Sequence, residues 1–314
     1  MWKIERYEGA RADEWNRMVA ESRNGTFLHD RRFMDYHADR FADCSLFALR
    51  DGVPVAILPA NVTADGVLHS HQGLTYGGWL TPRHHFNGAD MLELFDAWVE
   101  WGRSEGLREF DYKPVPYIYW SLPSAEDEYA LWRNGAVISS VNLSSAFPTS
   151  ERPALEKRQK RNLKKAVKEG TLTIKRTGDA ERFITLVNSC LAERHDATAV
   201  HTGAELNRLM EALPGNIDLW VVEEEGGEWC AGVCIFNTGM VAHAQYIATT
   251  SSGRSNGSLT WLFDHLATSY PEARWFDFGT SNEDGGRVLN PGLILQKTEL
   301  GGRGVAYPRY SLKL

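Results

Sequence analysis

A chain of 314 residues is longer than one hydrophobic core usually fills, so two domains are expected. Hydrophobic residues make up 43% and charged residues 24%, the balance of a globular protein, and a formal charge of −7 excludes a general DNA binder. The opening MWKIERYEGARADEW is charged from its third residue, and the longest apolar run, residues 53–62, is about half of the roughly twenty that cross a bilayer, so a cytoplasmic protein with no signal peptide and no membrane span is expected.

Residues 12–22 carry apolar side chains at helical spacing and predict the first helix. In TFLHDRRFMDYH, which follows, His29 is a candidate general base because imidazole titrates near neutral pH, although a histidine at a helix start more often caps the turn. SLFALRDGVPVAILPANV predicts a hairpin about Asp51-Gly52, and VLHSHQGLTYGGWL a further strand. His69 and His71 share a face of that strand and His84 and His85 follow, but no carboxylate or cysteine completes a ligand set, so no metal is expected. Residues 94–112, LFDAWVEWGRSEGLREFDY, read as a helix running into a short strand that ends at Asp111.

SSAFPTSERPALEK has the Ser and Pro content of a linker. It leads into RQKRNLKKAVKEG, where seven Lys or Arg fall between Lys157 and Lys168 without an acid. Leu155, Leu163, Ala166 and Val167 fall on one face, predicting a basic amphipathic helix over 155–170 closed by Gly170. Its cations, Arg158, Arg161, Lys164 and Lys165 among them, are candidates for holding a phosphate-bearing acceptor or the backbone of a tRNA. Residues 180–194 predict another helix, IDLWVVEEEGGEWCAGVCIFN a hairpin about Gly226-Gly227, and MVAHAQYIATT a strand containing Tyr246. Cys230 and Cys234 would lie about 13 Å apart on one strand face, too far for a disulfide, and Cys44 and Cys190 stand alone, so all four are read as structural thiols.

Residues 262–278, LFDHLATSYPEARWFDF, repeat the pattern of 94–112: both open on Leu-Phe-Asp and close on Phe-Asp-aromatic. A hairpin and a strand precede each copy. Each half therefore reads β–β–β–helix–β, giving an α/β (α+β) chain with domains over 1–145 and 146–314. Before the second helix stands TTSSGRSNGSLTWLFDHL, a Gly/Ser-rich turn with a helix expected to start near Ser258. Free N–H groups and the helix dipole favour an anion there, so Gly253, Arg254, Ser255, Asn256, Gly257 and Ser258 are candidates for holding phosphate or pyrophosphate. Asp277 closes the second copy's last strand as Asp111 closes the first's. Such a carboxylate either faces a cleft or caps the turn; Asp111 is expected to be structural, and Asp277 is kept as a catalytic candidate.

Hairpin, strand, Gly-rich loop, helix and strand in this order resemble the GNAT acyltransferase fold. Two such units joined by a basic helix resemble its FemAB-like branch, which includes aminoacyl-tRNA-dependent transferases of peptidoglycan cross-bridges. TFLHDRRFMDYH, RQKRNLKKAVKEG, WFDFGTSNEDGG and NPGLILQKTELGGRG match that branch, so the resemblance covers nearly the whole chain. It implies two tandem GNAT-like domains, each a mixed, mainly antiparallel sheet flanked by helices. It implies that Gly253, Arg254, Asn256 and Gly257 hold the pyrophosphate of acetyl-CoA or another acyl-CoA, with aminoacyl-tRNA as the alternative donor. Lys297 matches the lysine of the family's F-K-x-x-F-G pattern and would face the reacting carbonyl, although Gln296 and Leu300 replace the pattern's aromatics. Oxyanion donors would come from the splayed strand 244–249, on which Tyr246 would protonate the leaving group or orient the amine. PRHHFNGAD stands where the first copy would have its loop, so the first domain is expected not to bind the donor. The implied activity is acyl or aminoacyl transfer to a primary amine of a small or peptidoglycan-precursor acceptor. The alternative is a catalytically idle tandem-GNAT module that binds an anionic envelope precursor.

Overall fold

The computed structural model describes residues 1–195 and 198–314. The chain opens with β1 (Trp2–Arg6), α1 (Ala12–Glu21), the short α2 (Arg31–Met34), β2 (Leu46–Arg50), β3 (Val53–Leu58), β4 (Asn61–Val62) and β5 (Val67–His69). Then come α3 (Gly88–Ser104), β6 (Glu109–Tyr112), α4 (Glu126–Arg133), β7 (Val137–Pro148) and the basic α5 (Lys157–Glu169). Next are β8 (Thr173–Thr177), α6 (Ala180–His195), α7 (Gly203–Ala212), β9 (Ile217–Glu223), β10 (Trp229–Asn237) and β11 (Val241–Thr249). The chain closes with α8 (Ser251–Asn256), α9 (Ser258–Ser269), β12 (Trp275–Thr280), β13 (Asn282–Glu283), β14 (Val288–Leu289), α10 (Pro291–Glu299) and β15 (Arg303–Lys313). Two compact units result: Met1–Asn142 with Gly285–Arg287 and Ala306–Leu314, and Leu143–Asp284 with Val288–Val305. The sequence reading ran the second domain to the chain's end; the structure returns the last nine residues to the first unit, where Tyr310 and Leu312 pair with Tyr112 and Phe110.

In the first unit the expected hairpin turns at Asp51 and Gly52, both at positive φ, and β1, β2 and β3 form an antiparallel sheet. β5 runs parallel to β6 in the register His69↔Asp111. α3 starts at a capping box: the Asn87 side chain accepts from the N–H groups of Ala89 and Asp90, and Asp90 accepts from the Asn87 N–H. The core forms where α3 covers the strands, with the Trp98 and Phe110 rings stacked at 3.7 Å and Trp79, Phe95 and Tyr112 around them.

The second unit repeats that order. β9 and β10 form the Gly226-Gly227 hairpin, β11 follows antiparallel to β10, and β12 lies parallel to β11 in the register His243↔Asp277. Phe110 and Phe276 thus occupy equivalent strands, each following a long helix and each parallel to the strand before it. Phe276 and Phe278 bury against Leu262, Phe263 and Leu266 of α9. α5 ends at Gly170, left-handed at φ +70, as the sequence implies. Its buried face differs from the expected one: Gln159 and Ala166 are buried, whereas Val167 is 59% exposed. Gln159 sets the rotation, its Oε1 accepting from the Thr260 hydroxyl of α9 at 2.6 Å.

Candidate functional site

β11 and β12 pair for three residues only, Val241↔Trp275 to His243↔Asp277, and then part. The divergence has a local cause on each strand. On β11 the register against β10 slips between Cys234 and Ile235, leaving Gln245 as an extra residue of a β-bulge. On β12 the register against β7 shifts between Asp277 and Thr280, across Gly279 at φ +77. Beyond this point the facing edges of the two strands have lost their ladder partners.

Polar groups converge where the strands part. Lys297 of α10 is 4% exposed, and its Nζ donates to the carbonyls of Gly279 at 2.8 Å and Thr280 at 2.7 Å. Burial lowers its pKa to about 8, against an opposing pull from Asp277. An ammonium has three N–H groups, so one is uncommitted among the described residues. Asp277 is fully buried. Its carboxylate accepts from the Ser144 hydroxyl at 2.5 Å, the Gly279 N–H at 3.0 Å and His243 Nδ1 at 2.8 Å. Burial alone would raise its pKa; the hydrogen bonds from His243, Ser144 and the Gly279 N–H hold it below the usual carboxylate value. An ionised carboxylate only accepts, so His243 carries its proton on Nδ1 and presents Nε2 elsewhere. The imidazole lies along Gly279, where an added Cβ would come within 3.3 Å of its Cε1.

Of the four catalytic candidates, the structure brings Lys297 and Asp277 together. Tyr246 lies on β11 past the bulge, on the face opposite the α9 core, and its hydroxyl bonds His201 Nδ1 at 2.5 Å and accepts from the His201 N–H at 3.2 Å. Burial pushes its pKa up to about 12. His29 belongs to the first unit and is completely buried. Its Nδ1 accepts from the Thr26 N–H, completing a capping box, and burial lowers its pKa to about 4. This corrects its reading as a general base: it is the turn-capping histidine.

The phosphate-loop candidates are placed differently from expectation. Residues 251–256 form α8, because the Thr250 side chain accepts from the Gly253 N–H and so caps a helix before Gly257, at φ +83, ends it. The N-terminus of α9 is packed under α5: Ser258 is fully buried, and a Cβ on Gly257 would fall 2.4 Å from the Asn162 carbonyl oxygen. Gly253 and Asn256 are interior, and Asn256 caps Ser258 and donates to Glu224. Of the six candidates, Arg254 and Ser255 are exposed, and Arg254 donates to the Thr249 carbonyl with Glu193 at 3.5 Å. Beside them runs the outer face of α5. Lys165 donates to the Ser255 carbonyl, Arg158 is paired with Glu299, and Arg161 and Lys164 have no carboxylate partner among the described residues.

The first unit holds the same histidine–carboxylate pair in altered form. His69 bonds Asp111, but Arg309 also grips that carboxylate and holds its pKa near 2 against the effect of burial. Residues 70–77 lace the strands shut, Ser70 N–H donating to the Asp111 carbonyl and Gly77 N–H to that of Lys113. The sequence reading missed His243, Ser144 and His201. His243 had a usable signal, since His69 and His243 occupy matching places in VLHSH and VAHAQ, each paired in register with the repeat's aspartate.

Residues 155–284 match the family described as an acetyltransferase (GNAT) domain. No curated protein matches the sequence significantly. Among solved structures, FemX superposes with a TM-score of 0.71 at 13% identity, over 99% of this chain and 97% of that one. The C-terminal domain of a putative lysylphosphatidylglycerol synthetase from Agrobacterium fabrum gives 0.62 at 12% identity, over 98% and 92%. A tandem GNAT protein from the clavulanic acid biosynthesis pathway gives 0.54 at 10% identity, over 100% and 98%. Residues 155–284 thus match a GNAT acetyltransferase domain, and the fold of the chain as a whole is similar to those of FemX and of a tandem GNAT protein.

Proposed function

We propose that this chain is an N-acyltransferase whose donor lies between β11 and β12 and whose acceptor is a primary amine of a small or cell-envelope-precursor molecule. The observation that carries the reading is the buried ammonium of Lys297 at the point where two parallel strands part. Unpaired backbone on β11 offers donors to an acyl carbonyl, and the free N–H of Lys297 would strengthen its hold as that carbonyl becomes an oxyanion. Tyr246, held by His201, stands on the same strand as a residue that orients the amine or protonates the leaving group. The donor's phosphates would lie outside, along Arg254, Ser255 and the cationic face of α5, rather than on the buried start of α9. An acyl-CoA fits this placement, with aminoacyl-tRNA as the other donor that an exposed row of Arg161, Lys164 and Lys165 would suit. The fold also has FemX and a putative lysylphosphatidylglycerol synthetase domain as structural neighbours, which favours a cell-envelope acceptor.

The test is calorimetric titration of the protein with CoA and with bulk aminoacyl-tRNA, followed by transfer assays with the donor that binds. Arg254→Ala should weaken the productive donor by about 1–3 kcal/mol, the usual loss of a charged hydrogen bond to phosphate. Binding of an anionic envelope precursor with no affinity for either donor would replace the enzyme by the idle binding module.

A further inference from the structure

We infer that His243, oriented by Asp277, is the catalytic acid–base residue that moves the proton during transfer; this rests on the acyltransferase reading above. The two units provide an internal comparison. In both, a histidine on the strand before the helix bonds the aspartate of the strand after it, in the same parallel register. In the first unit the aspartate is neutralised by Arg309, and residues 70–77 close the space beyond the pair. In the second unit Ser144 and the Gly279 N–H orient the Asp277 carboxylate, and beyond His243 the facing edges of β11 and β12 are not paired with each other. His243 Nε2 has no hydrogen-bond partner among the described residues, and the side chain keeps 13% of its surface exposed. Gly279 links the two polar groups of the gap: its carbonyl receives Lys297 Nζ at 2.8 Å, and its Cα side faces the imidazole edge. A proton acceptor and a buried cation therefore flank one glycine at the mouth of the splay.

The chemistry balances on these two side chains. A neutral amine attacks the thioester carbonyl carbon, forming the C–N bond and an oxyanion beside Lys297. His243 Nε2 takes the proton that the new C–N bond makes acidic. Collapse breaks the C–S bond, and the imidazolium returns that proton to the leaving thiolate. Thioester and amine become amide and thiol, and the protein ends in its starting protonation state. Asp277 acts as the positioning residue, fixing the tautomer and stabilising the imidazolium, and the buried Ser144 and Gly279 bonds keep it aimed.

His243→Asn and His243→Ala test the assignment, with acetyl-CoA as donor and hydroxylamine, small and neutral near pH 7, as acceptor. Asparagine keeps an N–H donor for Asp277 but cannot carry a proton, so it separates structural support from proton transfer. Both variants should lose a hundredfold or more in turnover while CoA affinity by calorimetry stays within twofold. Added imidazole should restore part of the rate to the alanine variant, whose cavity admits it, and little to the asparagine variant. His243→Asn turning over at the parent rate overturns the assignment and leaves the acyltransferase reading intact. A parent protein that binds neither CoA nor aminoacyl-tRNA and releases no CoA from acetyl-CoA overturns both.

Discussion

Lys297 is held at the expense of stability, and that sets a pH dependence. Its folded pKa, about 8, lies below its ordinary 10.5, so the folded chain gives up this proton first. Between those values the unfolded chain binds more protons, and stability must rise with pH across that window; below pH 8 the cost of burying the ammonium is fully present. Lys297→Met keeps the stem and removes the charge. Urea unfolding at pH 7 and pH 9.5 should show the parent gaining roughly 1–2 kcal/mol relative to the variant at the higher pH. Equal shifts in both proteins would mean the amine is not buried as a cation. The same variant should lose on the order of a hundredfold in single-turnover transfer with little change in donor affinity. Gly279 is the other decisive residue of the gap. Alanine there must adopt φ +77 and press on the His243 ring at 3.3 Å, so Gly279→Ala should cost about 1–2 kcal/mol from the backbone alone and lower turnover through the displaced imidazole. A variant with parental melting temperature and rate would contradict that packing.

Among the elements, α5 has the most to explain. Its inner face is fixed by Gln159 to α9 and by the close approach of Asn162 to Gly257, and its outer face carries the cations. Gly257→Ala combines φ +83 with a Cβ 2.4 Å from a backbone oxygen, so α5 has to lift off α9. The expected loss is about 2 kcal/mol or more, read by chemical denaturation. Charge reversal acts on the outer face without touching that seam. Lys164→Glu with Lys165→Glu should weaken binding of a phosphorylated acceptor or tRNA and flatten its salt dependence; binding that is independent of salt in the parent would reduce α5 to a solvated face. The helix and its Gly170 stop were legible in the sequence because both are local: basic residues at helical spacing and a glycine that tolerates positive φ. The buried face was misread at Val167, since a helix's rotation is set by its partner, here Thr260 a hundred and one positions away.

For the whole molecule, the chain's last residues complete the first unit. Leu312 is buried in its core and Arg309 grips Asp111, so a chain ending at Val305 should lose several degrees of melting temperature and leave Asp111 without its cation. Unchanged melting would show that these residues add nothing to the unit. No helix among the described residues is long and apolar enough to cross a membrane. By itself the sequence determined the repeat, the two hairpins, the strands carrying Phe110 and Phe276, and the basic helix, because each is written in periodicity or turn chemistry within some twenty residues. It also pointed to Lys297, through a segment that resembles a family, and to Asp277, through its place at the end of the repeat's last strand. Only the tertiary structure decided that His29 caps a turn, that the expected phosphate loop folds as α8 with α5 packed on Gly257, and that His243 joins Asp277 near Lys297. Those facts depend on contacts such as Ser144 with Asp277, 133 positions apart, and on a bulge that alters how two strands diverge. Which strands pair, where they separate and what packs over a helix end are settled by the closing of the core, and no local pattern in the chain encodes them.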